Sequence, residues 1–306
     1  MKDTPLKVND FFCGAGGMGL GFKQAGFRLA GAWDFDKYAV ESYGNNVSPK
    51  VKQIDITEMN WQDVPYADVW TFGFPCQDVS TAGYRKGIIK GETRSGLFYE
   101  IMRLLDETKE NNIKNMPKIL LAENVKGIED YLSIIEEEFE KRGYKLKLKL
   151  FNSKDWGVPQ KRKRYFIVGI HESIKKEFLF PELEEQHIIT LADILESNVD
   201  DKYYISDERY EHAITNNYSG LLKPDGLART LRVGGVGSLS NKHNYEHILT
   251  GNRIRKLTER EMLRLQGFPE DYKIVVEDKY IRKQMGNAVS VPVAKAIAEE
   301  IHKFLE

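Results

Sequence analysis

Phe11-Phe12-Cys13-Gly14-Ala15-Gly16-Gly17-Met18-Gly19-Leu20 decides how the first half of this chain is read. It follows the first strand candidate, Val8–Cys13, and opens a helical pattern. Its glycines let the backbone at the tip of that strand approach a ligand closely. Gly14, Gly16 and Gly19 satisfy G-x-G-x-x-G, the dinucleotide fingerprint, but the match does not choose between NAD and another adenosine-containing cofactor. Asp34 ends a second strand candidate, where a carboxylate accepts from both ribose hydroxyls. Asp55 ends a third, where it or the adjoining backbone meets an adenine amino group. Each acid also suits a helix or turn cap. Behind a Gly-rich first turn, the two together indicate an adenosine site in the crevice at the carboxyl ends of parallel strands.

Outward from that turn, strand and helix patterns alternate over the first 170 residues. Strand candidates are Val8–Cys13, Arg28–Trp33, Val51–Asp55, Asp68–Phe72, Lys118–Ala122, Lys145–Phe151 and Tyr165–Ile170, with helical patterns at Leu97–Glu107 and Ile128–Arg142 among them. This alternation predicts an α/β fold, a mostly parallel sheet with helices on both faces. Near Phe180-Pro181-Glu182 the pattern changes. Residues from about 186 to 280 are turn-rich and weakly periodic, which predicts a second, smaller domain of irregular or β structure. Pro292–Leu305 carries Val293, Ile297, Ile301 and Leu305 at helical spacing and is expected to dock on the first domain.

With 306 residues, 41% of them hydrophobic and 30% charged, the chain suffices for a large domain plus a smaller one with a substantial core. It has no apolar run of about 18 residues, and Met1–Lys7 lacks the apolar stretch of a signal peptide, so no membrane association is expected. Two cysteines make neither a disulfide framework nor a zinc site, and the six histidines show no metal-ligand spacing. No metal is expected, and the compartment is read as reducing cytoplasm. The net charge of −1 neither announces nor excludes a nucleic-acid partner, because phosphate binding needs only a local basic surface.

The reactive groups follow the later strands. After the fourth comes Gly73-Phe74-Pro75-Cys76-Gln77, in which Pro75 fixes its own φ and biases Phe74 to an extended conformation, so the Cys76 sulfur leaves the sheet in a defined direction. A lone cysteine is more often a small buried hydrophobe than a nucleophile. After the fifth comes Glu123, and then Gln160-Lys161-Arg162-Lys163-Arg164 leads into another strand. Period-two alternation puts Arg162 and Arg164 on one face and Lys161 and Lys163 on the other. Neighbouring strand ends thus supply a thiol, a carboxyl and a guanidinium. The strict alternation of Tyr144–Leu150 places its lysines on a strand's wet face.

With these residues in place, the chain resembles the C5-cytosine DNA methyltransferases of bacterial restriction–modification type over nearly its whole length. The matching blocks stand in the family's order: Phe12-Cys13-Gly14-Ala15-Gly16-Gly17, Gly73-Phe74-Pro75-Cys76-Gln77, Glu123-Asn124-Val125, Gln160-x-Arg162-x-Arg164, Arg264-Leu265-Gln266-Gly267-Phe268-Pro269 and Gln284-Met285-Gly286-Asn287-Ala288-Val289. The resemblance implies a Rossmann-like S-adenosylmethionine-dependent methyltransferase domain (1–185 plus 281–306) with a smaller target-recognition domain (186–280). It implies S-adenosylmethionine as methyl donor, S-adenosylhomocysteine as product, and a flipped cytosine in double-stranded DNA as acceptor. By the same resemblance Cys76 is the nucleophile toward cytosine C6, Glu123 meets N3, Arg164 binds O2, and Arg162 belongs to that cluster. Glu123 acting as an acid needs a proton that a nearby Arg164 opposes, and exclusion of water by the flipped base is expected to favour the neutral form.

The cofactor contacts so implied are Phe12, Gly14, Ala15, Gly16, Gly17, Asp34, Phe35, Asp55, Ile56, Pro75 and Asn287. Phe35 departs from the tryptophan common in relatives, though either ring can stack on adenine. The loop from Gln77 to Gly96 resembles the family's mobile catalytic loop, with Gln77, Ser80, Arg85 and Lys86 as DNA contacts. Ala228-Arg229-Thr230-Leu231-Arg232 matches the Thr-Leu signature of the recognition region, making Arg229, Thr230 and Arg232 its candidate readers. Action as a monomer is expected, and the resemblance allows a cognate restriction endonuclease acting on the same site. An RNA-methylating branch exists, but no segment here favours it. A dehydrogenase reading leaves Cys76, Glu123 and both arginines without a role, and the intact nucleophile argues against a DNA-binding pseudoenzyme.

Overall fold

A computed structural model describes residues 5–75, 78, 87–183, 189–216, 220–233 and 246–306. They form two units. One holds the chain through Phe151, Lys163–Glu182 and Val293–Glu306; the other holds Asn152–Arg162 and Leu183–Pro292.

The first unit is built in the order β1 (Lys7–Phe11), α1 (Gly17–Gln24), β2 (Arg28–Asp34), α2 (Lys37–Asn46), β3 (Val51–Gln53), β4 (Val69–Phe72), α3 (Phe98–Asn112), β5 (Ile119–Val125), α4 (Leu132–Glu140) and β6 (Tyr144–Asn152). The chain then passes through β7 (Gln160–Lys161) of the second unit and returns as β8 (Lys163–His171). The sheet order is β3-β2-β1-β4-β5-β8-β6, so every expected strand is present. Strands β3, β2, β1, β4 and β5 are mutually parallel. The sheet grows outward from β1 first toward β2 and then, from β4 on, the other way. The crevice where that direction switches, at the carboxyl ends of β1 and β4, is where open α/β sheets bind ligands. Strand β8 runs antiparallel to β5, which period-two patterning cannot reveal, since both directions alternate alike.

Local sequence accounts for these elements. Ile119–Ala122 is a continuous apolar run because a central strand is buried on both faces. Helix α3 buries Phe98, Ile101, Met102, Leu105 and Thr108 at i, i+3, i+4, i+7 and i+10, with Leu104 alongside. Phe11 stacks on Trp33 at a 4.8 Å centroid separation and meets Trp70 at 5.1 Å. These rings seed a core that continues through Phe72, Phe74, Phe98 and Phe139.

The second unit was expected to be irregular or β, yet its described residues include three α-helices. Its elements after β7 are α5 (Asp207–Thr215), β9 (Ala228–Arg229), β10 (His247–Thr250), β11 (Arg253–Lys256), α6 (Glu259–Leu265) and α7 (Asp278–Asn287). Thr258 and Glu261 form a reciprocal capping box at the head of α6. The helices are short and carry few periodic turns, so periodicity did not register them. The unit also takes residues 152–162 and 281–292, which the expected bounds gave to the first domain. The reason is backbone pairing: Gln160 and Lys161 of β7 align with Ala228 and Arg229 of β9.

The final helix, α8 (Val291–Leu305), carries the chain back into the first unit. A Cβ at Gly21 of α1 would lie 2.7 Å from the Cβ of Ala294, so a glycine there lets α8 pack directly on α1. Among the described residues no helix is long and apolar enough to cross a membrane.

Candidate active site

In the first unit the expected site residues gather at the carboxyl ends of the parallel strands. The turn after β1 is left-handed at Phe12 (φ 52°), Gly14 (φ 54°) and Gly16 (φ 95°), a conformation that favours glycine. Gly16 then caps α1 with no side-chain hydrogen bond, which leaves the first N–H groups of that helix directed at the turn. The glycines divide the work. A Cβ at Gly16 would meet Val47 Cγ2 at 2.5 Å, and one at Gly19 would meet Asp10 Oδ2 at 2.6 Å, so these two admit close packing within the protein. A Cβ at Gly14 meets nothing within 4 Å among the described residues, so Gly14 is the glycine that faces open space.

Asp34 Oδ2 accepts from the Gly14 N–H at 2.9 Å and its Oδ1 from the Asp36 N–H at 2.9 Å. This carboxylate therefore ties β2 to the Gly-rich turn. Phe35 beside it holds its ring 68% exposed, while its carbonyl accepts from Gln53 at 3.1 Å. Asp55 lies two residues past β3 and not at its end, as the sequence had suggested. It caps the Ile56–Glu58 turn, accepting from the Thr57 N–H at 3.0 Å and the Thr57 hydroxyl at 2.8 Å, and Ile56 is buried. Ala15 and Gly17 are buried in the turn.

Beneath the turn lies a group that sequence reasoning missed. Asp10, fully buried in β1, accepts from the Thr71 hydroxyl at 2.8 Å, the Tyr43 hydroxyl at 3.2 Å and the Gly19 N–H. Burial pushes its carboxyl up to about 7, opposed by those hydrogen bonds and reinforced by Asp34. The signal available was an acid within the first strand, directly before Phe11 and the Gly-rich turn. Cys13 is buried too, and burial together with Asp34 and Asp10 raises its thiol well above the ordinary range, which suits a packing role and not a nucleophile.

The third cluster joins β4, β5 and β8. Glu123 lies within β5, two residues before its end. Because β8 is antiparallel, its first residues sit beside the last of β5, with Arg164 opposite Val125. Arg164 Nε reaches Glu123 Oε1 at 3.1 Å, with side chains 16% and 10% exposed. A Cβ added at Gly73 would lie 3.4 Å from Glu123 Oε2, so the carboxylate rests against the loop that leads to Cys76. That loop is anchored just before the cysteine. Asn124 donates to the Phe74 carbonyl at 3.2 Å, and the Ser95 hydroxyl donates to the Pro75 carbonyl at 2.8 Å. Asn124 stood in a recognised block without an assigned role, and Ser95 in none. Cys76, Gln77, Ser80, Arg85 and Lys86 lie outside the described residues.

Arg162 corrects an expectation. The alternation aligned it with Arg164, but the two have different partners. Arg162 belongs to the second unit, is 1% exposed, and donates to the carbonyls of Leu231 (3.2 Å), Gly286 (3.3 Å) and Ala288 (2.8 Å). The second unit also contains Asn287, exposed at the end of α7. Arg229 and Arg232 are exposed, with Arg229 donating to the Gly220 carbonyl at 3.3 Å, and the Thr230 hydroxyl donates to the Lys161 carbonyl at 2.7 Å.

Residues 6–303 match the family model for the C-5 cytosine-specific DNA methylase. The chain belongs to that family. It is 34% identical to the type II methyltransferase M.NlaX of Neisseria lactamica over 98% of this chain and 97% of that protein. It is 36% identical to the type II methyltransferase M.HaeII of Haemophilus aegyptius over 95% of this chain and 91% of that protein. The S. pombe Dnmt2 methyltransferase structure shares the fold, with a TM-score of 0.76 over 98% of each chain at 22% identity. The first unit is thus a Rossmann-like methyltransferase fold, and the protein is a DNA (cytosine-5-)-methyltransferase.

Proposed function

We propose that this methyltransferase transfers a methyl group from S-adenosylmethionine to C5 of a cytosine flipped out of a specific double-stranded DNA sequence, through a covalent bond between Cys76 and C6. The observation that carries the reading is the Glu123–Arg164 pair at the end of β5, resting against the Gly73 loop that delivers Cys76.

Cytosine C5 is too poor a nucleophile to attack a sulfonium methyl unaided. The Cys76 thiolate adds to C6, and the C5–C6 π pair moves into the ring, making C5 enamine-like. Glu123 meets N3 and Arg164 meets O2, where that density develops, so both act chiefly in the transition state. S-adenosylmethionine, when bound, supplies the electrophilic methyl group. After C5 is methylated its proton leaves to water, the electron pair re-forms C5–C6, and the Cys76–C6 bond breaks. Hydrogen bonds to the Phe74 and Pro75 carbonyls hold the chain up to the residue before Cys76.

The residues present fit that cofactor. Gly14 faces open space, the exposed Phe35 ring suits an adenine face, and the Asp34 carboxylate, which accepts from the Gly14 and Asp36 N–H groups, is an acceptor of the kind ribose hydroxyls need. Phe12, Ala15, Gly16, Gly17, Asp55, Ile56, Pro75 and Asn287 complete the proposed contacts. Residues 186–280 serve target recognition, with Arg229, Thr230 and Arg232 reading DNA alongside Gln77, Ser80, Arg85 and Lys86. The protein is proposed to act as a monomer in the cytoplasm, beside a restriction endonuclease of the same specificity.

The test is a covalent trap. Incubated with labelled S-adenosylmethionine and duplex DNA carrying 5-fluorocytosine, the protein is expected to form a stable adduct that Cys76→Ala abolishes. An adduct that survives Cys76→Ala, or one formed on tRNA but on no duplex DNA, overturns the reading.

A further inference from the structure

We propose that Arg162 and Gly286 form a seat that fixes the register of the DNA-reading segment Ala228–Arg232, which makes Arg162 a positioning residue for sequence discrimination. The proposal rests on the reading of that segment as a DNA contact, and every residue in the argument belongs to the second unit.

The segment is held along one side through its own main-chain groups. The Ala228 N–H donates to the Pro159 carbonyl at 2.8 Å, the Leu231 N–H to Gln160 Oε1 at 2.9 Å, and the Leu231 carbonyl accepts from Arg162 at 3.2 Å. Gln160, itself fully buried, passes the constraint on by donating to the Leu265 carbonyl at 2.8 Å. Arg162 spans from Leu231 to the Gly286 and Ala288 carbonyls, so one planar guanidinium joins the reading segment to the end of α7. A planar fork fixes the relative positions of the carbonyls it joins, whereas an ammonium on a flexible stem can bond them without fixing that geometry.

A second observation is independent of the arginine. A Cβ at Gly286 would fall 2.6 Å from the Arg232 carbonyl carbon and 2.6 Å from the Val233 nitrogen. Both are backbone atoms, so the reading segment lies directly on α7 and cannot give way there without shifting. Meanwhile Arg229 and Arg232 are exposed on the segment. A guanidinium reading a base edge works within hydrogen-bond distance, so a shift of about 1 Å in the seat degrades discrimination more than it degrades chemistry.

The experiment starts with the unaltered protein. Methylation mapped on duplex DNA with labelled S-adenosylmethionine establishes the target; if no DNA is methylated, the underlying functional reading fails before the seat is tested. With the target known, Arg162→Lys and Gly286→Ala are assayed on the cognate duplex and on duplexes altered at one flanking base pair. Each variant is expected to raise the DNA KM about tenfold and to cut the cognate-to-altered ratio of kcat/KM about tenfold, the scale of one lost base contact. The fall in kcat at saturating DNA should be the smaller effect. Discrimination equal to wild type in both variants overturns the proposal. So does a loss of kcat about a hundredfold or more in Arg162→Lys with discrimination intact, since Arg162 would then act on the reacting base. Should Arg162→Lys not fold, Gly286→Ala decides by the same ratio.

Discussion

Two glutamate–arginine pairs of the same chemistry hold opposite positions in this molecule. In the second unit Arg255 and Glu261 are 2% and 0% exposed and meet through two bonds of 2.8 and 2.7 Å, and the Thr258 and Glu196 N–H groups also donate to Glu261. In the first unit Glu123 and Arg164 meet at 3.1 Å and keep 10% and 16% exposure. The closed pair has no face left for a ligand and serves to hold β11 on α6. The open pair, at a strand end beside Gly73, keeps part of its surface exposed. A salt bridge therefore marks a site through its remaining access and not through its existence.

The largest expected effect tests the open pair. Glu123→Gln should lower kcat by about 10²–10⁴-fold, and remove one limb of the pH–rate profile, while leaving the melting temperature nearly unchanged. A retained rate, or a wild-type profile in the variant, would break the contrast. The closed pair should behave in reverse. Glu261→Gln is expected to destabilise the fold by about 3 kcal/mol or more, because it strands a buried guanidinium. Chemical denaturation measures this, and a wild-type midpoint would show that Glu261 is not structural. The double change Arg255→Met with Glu261→Leu should recover much of that loss, as replacing a buried ion pair by apolar groups often does; a double variant less stable than Glu261→Gln would refute this account.

The smallest effect concerns Asp10, an acid buried against neutral donors. Its carboxyl titrates at about 7 in the folded protein against an ordinary 3.8. Between those values the folded form keeps a proton that the unfolded chain has released, so stability falls as pH rises through that window and levels off above it. Buried His247, held down to about 4 from 6.5, works in the opposite direction over the lower part of the range. The difference between wild type and Asp10→Asn isolates Asp10. The wild-type melting temperature should decline relative to the variant from pH 5 to pH 8, and parallel curves would contradict the assignment.

Much of this protein is legible in one dimension. The alternation of patterns located every strand of the large sheet, and the Gly-rich turn, Glu123 and Arg164 stand where strand ends put them. What escaped has a common cause. Side-chain period reports which face a residue takes, not which chain lies opposite. Patterning could not tell that β8 runs against β5, which is what brings Arg164 to Glu123. It could not separate Arg162 from Arg164, although the strand breaks between β7 and β8 and sends their guanidinium groups to different partners. It also missed Asp10, whose meaning depends on Tyr43 and Thr71, 33 and 61 residues away.

The sequence by itself thus determined the α/β order, the Gly-rich turn and the chemical inventory of thiol, carboxyl and guanidinium, because these depend on local propensity and residue type. Only the tertiary structure decided which acid stays partly open beside an arginine and which lies sealed beneath the turn, and which arginine meets Glu123 and which clamps backbone. Those outcomes depend on burial and on partners distant in sequence, and both exist only once the chain has closed on itself.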